Sequence, residues 1–381
     1  MRRPTCDVEI DPDSLCGEET LNSRLSVIEN RLYAYHNPYV GNKRKLIRDL
    51  VLTLEKHGVK YESILDIFSG SGAVSMAMKM LGKRVISNDI LTSSYFNALA
   101  FVENNSVVLT EEEQKFLCTN RDFGKIPFNN PDDNRSHLYS HRFTKSEMDF
   151  LACYFCNLCH LFCHPAHVSF QSPLSECDYK VALAMVYLQN YIMDHCYVGG
   201  RLNHGQVLAD VDHRLAHNRN KGHEMGFQRV FKSEPPFMNN GVKHQALNMD
   251  AIDLADRVFP EVDLCYIDPP YGGDQSDYAK MFQFFEEYIY QVPMKDMPHL
   301  ANALRFTNSE EYEAHFIRLL ELLSYVPCWT ISYNDSSWGG IEIIVKCLKK
   351  FRTDVIVEKI DYTYKYSKKR KSTEYIIVAR G

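Results

Sequence analysis

The chain has 381 residues, 45% of them hydrophobic and 24% charged, with a formal net charge of −6. That is enough for one large α/β domain plus a smaller second part, and the apolar share excludes global disorder. The negative balance excludes a polycation, so any nucleic-acid contact must use local basic patches.

The N-terminus, MRRPTCDVEIDPDSLCGEE, lacks the apolar core of a signal peptide. No apolar run reaches the roughly 18 residues of a membrane-spanning helix, so no membrane partner is expected. Twelve cysteines then read as reduced thiols in a cytoplasmic protein. Residues 1–30 are polar and acidic and read as a loosely packed extension.

In PYVGNKRKLIRDLVLTLEKHG (38–58), Gly41-Asn42 makes a turn. Leu46, Ile47, Leu50, Val51 and Leu54 form a helical stripe from about Lys43, stopped at His57-Gly58. The turn before the helix can present Tyr39 and Lys43 to a ligand, although an aromatic there also serves packing.

YESILDIFSGSGAVSMAMKMLGKRVISNDI (61–90) predicts strand, turn, helix, strand. Ile64–Phe68 is the first strand, Ser69-Gly70-Ser71-Gly72 the turn, Ala73–Leu81 the helix, and Arg84–Ser87 leads to a second strand ending at Asn88-Asp89-Ile90. Such a unit suits a nucleoside: glycines admit a close ligand, and an acid ending the second strand takes ribose hydroxyls. The third glycine of a dinucleotide site is absent, and Asp66 at the strand end would repel a pyrophosphate but attract an ammonium. S-adenosylmethionine, with an amine, a sulfonium, a ribose and no phosphate, fits better than a dinucleotide.

Leu91–Glu103 reads as a helix, and Thr110 with Glu113 forms a capping box opening the next. Residues 119–142 read as loop, with helical segments at about 144–165 and 178–197. Within the former, Cys153, Cys156, Cys159 and Cys163 have a metal-like spacing with histidines nearby. All four fall on one side of a helix, which cannot converge them on one ion without unwinding, so they read as packed thiols, a metal cluster being the alternative. Residues 199–247 hold seven Lys/Arg against four acids, which suits phosphate contacts or a solvated loop.

EVDLCYIDPPYGG (261–273) is a buried strand, Val262–Ile267, cut off by Asp268-Pro269-Pro270-Tyr271. Two prolines cannot donate to a sheet, so the chain turns out at the strand's carboxyl end, where open α/β sheets bind ligands. The tetrapeptide suits methylation of an exocyclic amine, whose lone pair is delocalised into its ring. Two acceptors, the Asp268 carboxylate and the Pro269 carbonyl, can draw the nitrogen toward tetrahedral geometry, and Tyr271 offers a face for base stacking. The bland alternative is an ordinary strand-end turn.

Further on, 308–324 is an amphipathic helix with Phe316, Leu319, Leu320 and Leu323 on one face, and 326–335 is a strand. Residues 353–381 form two antiparallel strands around a basic loop; 346–371 hold ten Lys/Arg against three acids.

Taken together and in this order, YVGNKRKL, DIFSGSGAVS, SNDI, a long insert, NMDAIDL and YIDPPY resemble the Dam-type, alpha-class N6-adenine-specific DNA methyltransferases, over about residues 35–105 and 184–381. The resemblance implies a Rossmann-like α/β fold with a mainly helical target-recognition insert. It divides the chain into an extension (1–30), a first catalytic part (31–105), the insert (106–245) and a second catalytic part (246–381). It implies S-adenosylmethionine as donor, with Tyr39, Lys43, Asp66, Phe68, Gly70, Gly72, Asp89, Asp250 and Asp268 at the cofactor and Asp268, Pro269, Pro270 and Tyr271 at a flipped adenine of double-stranded DNA. Restriction-modification or DNA protection follows as the role, with a cognate restriction endonuclease as possible partner. The family carries an aromatic after Asp250, where this chain has Ala251. An RNA N6-adenine methyltransferase and a non-catalytic DNA-binding relative remain as alternatives; a glutamine methyltransferase would carry Asn in place of Asp268.

Overall fold

The computed structural model describes residues 18–35, 37, 39, 41–119, 145–168, 173–198, 201–202, 239–270, 278–302, 306, 311–334, 340–363 and 371–381. A seven-stranded sheet forms the centre: β1 Ser63–Asp66, β2 Arg84–Asn88, β3 Gln245–Leu247, β4 Leu264–Ile267, β5 Cys328–Asn334, β6 Asp354–Thr363 and β7 Lys371–Arg380. Their order across the sheet is β3-β2-β1-β4-β5-β7-β6. The first five pair in parallel, and β7 runs antiparallel to both β5 and β6. A short antiparallel ribbon joins Tyr197–Val198 to Arg201–Leu202 outside this sheet.

The helices are α1 Glu18–Ala34, α2 Ile47–Lys56, α3 Ala73–Met80, α4 Thr92–Ala98, α5 Glu111–Cys118, α6 Lys145–Leu161, α7 Glu176–Cys196, α8 Ala251–Ala255, α9 Tyr278–Tyr290, α10 Tyr312–Leu322 and α11 Gly340–Leu348. They cover both sheet faces, because strand residues alternate sides. Ile64, Leu264, Ile376 and Val378 enter one apolar cluster with residues of α1–α4, α6, α7 and α9. Leu65, Cys265, Ile377 and Ala379 enter the other with residues of α8, α10 and α11. The result is the three-layer α/β arrangement expected.

Several boundaries differ from the sequence reading. The expected helix over Leu91–Glu103 is α4 followed by a π-helical turn, Leu99–Glu103. The buried Lys79 ammonium meets the carbonyls of Val102 and Asn104, both at 2.7 Å, where that turn ends. The Thr110–Glu113 capping box is present in full. Residues 18–30 are not loosely packed: α1 buries Leu25, Ile28 and Leu32 in the core. These apolar positions recur at helical spacing within a polar composition, which masks them. The helices α6 and α7 contribute side chains to that same core.

Candidate functional site

Parallel pairing lines up the strand ends. Asp66 on β1 is in register with Ser87 on β2 and Tyr266 on β4. Asp89 and Asp268 follow those partners by two residues, so all three acids reach one edge of the sheet. Between them lies a cavity, open to solvent, lined by Tyr39, Lys43, Asp66, Phe68, Gly70, Asp89, Asp250, Asp268, Pro269 and Pro270 among others. Ten of the expected site residues therefore meet at one place. Gly72 starts α3 with φ of 72° and stands outside the lining. Tyr271 and its glycines lie outside the described residues, as do most of the basic stretch 199–247 and the tip 364–370.

The turn after β1 is built for close approach. Gly70 has a φ of 50°, and a Cβ there would sit 3.3 Å from Cε1 of Tyr39. Tyr39 stacks on Phe282 of α9 at 4.5 Å and shares a 2.9 Å hydrogen bond with Ser94 of α4. Gly70 N–H donates to Asp89 Oδ2 at 2.8 Å, and Leu91 N–H to Asp89 Oδ1 at 2.9 Å. Burial pushes the Asp89 carboxyl up to about 6.

Asp66 is 1% exposed. Ser75 Oγ donates to its Oδ2 at 2.6 Å, while Oδ1 has no hydrogen-bond partner among the described residues. Burial, with the charges of Asp268 and Asp89 adding, raises it to about 7 despite Ser75. A buried acceptor left over beside a cavity suits a cationic group. Among the described residues, the charged lining is Asp66, Asp89, Asp250 and Asp268 against Lys43 as the single base. That balance fits a ligand with an ammonium and hydroxyls and disfavours a pyrophosphate. Asp250 also N-caps α8, its Oδ1 accepting from Ile252 at 2.9 Å.

At the other side, the Lys43 ammonium lies 3.3 Å from Asp268 Oδ1 and 3.8 Å from Glu374 Oε2 of β7. The Asp268 side chain remains 16% exposed, so it faces the cavity while paired. Tyr266, Tyr278 and Phe306 complete the wall.

Sequence reading missed several supports of this site. Glu286 of α9 is fully buried and accepts from Thr92 and Ser93 at 3.1 and 2.8 Å, capping α4 from another helix. Burial raises it to about 7. Asn248 donates to the carbonyls of Asp89 and Ile90 at 2.8 and 2.9 Å. Asn248 adjoins Asp250 in LNMD, a local signal; Glu286 gives none, its partners being nearly 200 residues away.

The cysteine segment falls on α6 and just beyond it. Cys153 is buried, and Cys156, Cys159 and Cys163 are partly buried. Burial pushes Cys159 up to about 11 and, with Cys177 beside it, Cys163 to about 12, which keeps them thiols. No group of three or more His, Cys, Asp or Glu among the described residues is placed to hold a metal ion. No described helix is long and apolar enough to cross a membrane.

The chain is 26% identical over 356 residues to type II methyltransferase M2.HphI of Haemophilus parahaemolyticus, covering 90% of this chain and 97% of the relative. It is 24% identical over 357 residues to modification methylase StsI of Streptococcus sanguinis, covering 88% of this chain and 49% of that one. A shorter match, 32% over 91 residues, joins it to modification methylase LlaI of Lactococcus lactis subsp. lactis, covering 24% of this chain and 13% of the relative. Residues 39–177, which hold the glycine turn, Asp66 and Asp89, match the family model for D12 class N6 adenine-specific DNA methyltransferases.

Proposed function

We propose that the protein transfers a methyl group from S-adenosylmethionine to the N6 amine of an adenine rotated out of duplex DNA. The observation that carries this is the convergence of Asp66, Asp89 and Asp268 on one cavity, with Pro269 and Pro270 at its rim. When bound, S-adenosylmethionine supplies a methyl group activated by the adjoining sulfonium. Asp66 would hold its ammonium and Asp89 its ribose hydroxyls. Tyr39, Phe68 and Gly70 would shape the pocket, and Asp250 would lie toward its adenine.

On the target side, Asp268 and the Pro269 carbonyl accept the two N6–H bonds and localise the lone pair on nitrogen. The proline rings keep that carbonyl still, so the acceptors are in place before the base arrives. Asp268 also stands ready for the proton that the nitrogen sheds. Tyr271 would stack on the base, offsetting part of the few kcal/mol that extrusion costs. Holding amine and donor together converts an encounter of two molecules into a reaction within one complex.

The second catalytic part (246–381) would present this edge, and the insert (106–245) with the basic loop of 364–370 would grip the duplex. The names of the relatives, a type II methyltransferase and a modification methylase, support a role in restriction-modification; a cognate endonuclease would be the partner. The test is transfer of tritium from labelled S-adenosylmethionine to duplex DNA and to RNA of matched sequence. Label as N6-methyladenine in DNA supports the reading. Label in RNA alone moves the substrate to the other nucleic acid, and label in neither overturns it.

A further inference from the structure

Asp268 has one oxygen facing a cation: its Oδ1 is 3.3 Å from Lys43 Nζ. An ammonium that gave Asp268 its whole charge would compete with the N6 amine for the carboxylate. The same ammonium lies 3.8 Å from Glu374 Oε2, at the neighbouring antiparallel strand. Glu374 is 2% exposed, and Asn334 Nδ2 donates to its other oxygen at 2.9 Å. Asn334 and Glu374 are register partners on β5 and β7. Glu374 is thus fixed from the sheet, at a point where its charge can act on Lys43.

We propose that Glu374 is a positioning residue that shares the Lys43 ammonium with Asp268 and so keeps Asp268 available to the target amine. Glu374 touches neither reactant; it acts through Lys43. This rests on the functional reading above and adds a residue to it.

The experiment compares the full-length wild type with Glu374→Gln, Lys43→Met and the double variant. In Glu374→Gln, Asn334 keeps the amide oxygen, which turns the amide NH₂ toward Lys43 and drives the ammonium onto Asp268. The expected result is a fall in kcat of about ten- to a hundred-fold, with affinity for S-adenosylmethionine changed less than two- to three-fold. In the Lys43→Met background the sign reverses or vanishes: Glu374→Gln removes a carboxylate that has lost its counter-charge, so it causes no further loss. Equal losses in both backgrounds would show that Glu374 acts independently of Lys43 and would overturn the proposal. So would an unchanged kcat in Glu374→Gln. If Glu374→Gln alone does not fold, the double variant is compared with Lys43→Met: an unchanged kcat supports action through Lys43, and a further loss overturns it. A crystal structure of Glu374→Gln separates this proposal from the functional one. A Lys43–Asp268 separation clearly shorter than the wild-type 3.3 Å, with the ammonium moved away from residue 374, supports it whatever the activity, and an ammonium left where it stands in the wild type sinks it.

Discussion

The N–H of Gly70 donates to Asp89 Oδ2 at 2.8 Å, so the glycine turn after β1 and the acid after β2 form a single corner. The other Asp89 oxygen accepts from Leu91 N–H at 2.9 Å, which ties the corner to the start of α4. Asp89→Ala removes both bonds and the group proposed for the ribose. We expect donor affinity to fall about ten- to a hundred-fold by calorimetry, together with a lower melting temperature. Wild-type affinity in this variant would remove Asp89 from the site.

The buried acids predict opposite pH dependences for stability and binding. Burial holds Asp66 up at about 7, against an ordinary value of 3.8. The native state then keeps a proton that the unfolded chain releases. This contribution favours the fold at low pH and is lost as pH rises from about 4 to about 7. The melting temperature of the wild type should therefore fall relative to Asp66→Asn between about pH 5 and pH 8. Burial also raises Glu286 and Glu103, so the difference between the two proteins is the quantity to follow. Capture of an ammonium needs the ionised form, so wild-type affinity for the donor should climb over the same range. Asp66→Asn should bind about ten-fold more weakly at pH 8 and keep only the shallower pH dependence that Asp89, raised to about 6, contributes. Parallel binding curves for the two proteins would contradict this role.

Gly70→Ala tests the backbone. Its φ of 50° is strained for a side chain, and the added methyl would press on Tyr39 at 3.3 Å. A destabilisation of about 1–2 kcal/mol is expected from the left-handed backbone alone. The Tyr39–Phe282 stack should shift with it, so donor binding weakens too. Alanine tolerated with full affinity and unchanged denaturant midpoint would show that the turn can relax.

Much of this site is legible in sequence because its chemistry is local. A glycine turn between a strand and a helix, an acid at a strand end and two prolines after an apolar run each leave a mark within a few residues. Parallel register then brings Asp66, Asp89 and Asp268 together without further information. The supports are less legible. Glu286 sits in the aromatic run MFQFFEEYIY, where no helical stripe marks it as a cap for a helix nearly 200 residues earlier. Glu374 lies in a strand whose residues 376–379 are buried, and its value depends on Lys43 from a distant turn. The helix α1 was hidden for another reason: composition averages over its polar face, while Leu25, Ile28 and Leu32 on the inner face do the packing.

That helix yields a stability prediction. Leu32 is 1% exposed, so Leu32→Ala leaves a cavity beneath α1. The expected loss is about 2–5 kcal/mol in chemical denaturation. A loss within about 0.5 kcal/mol, typical of surface positions, would return residues 18–34 to the status of a loose extension.

Asp268 offers the most direct measurement. Wild type and Asp268→Ala are incubated with duplex DNA and tritiated S-adenosylmethionine, the methylated base is identified by mass spectrometry, and donor affinity is measured in parallel. The predicted result is N6-methyladenine from the wild type, a rate lower by at least about 10²–10³-fold in the variant, and donor binding weakened far less. Near-equal methylation by the two proteins, or label on a base other than adenine, would contradict the account.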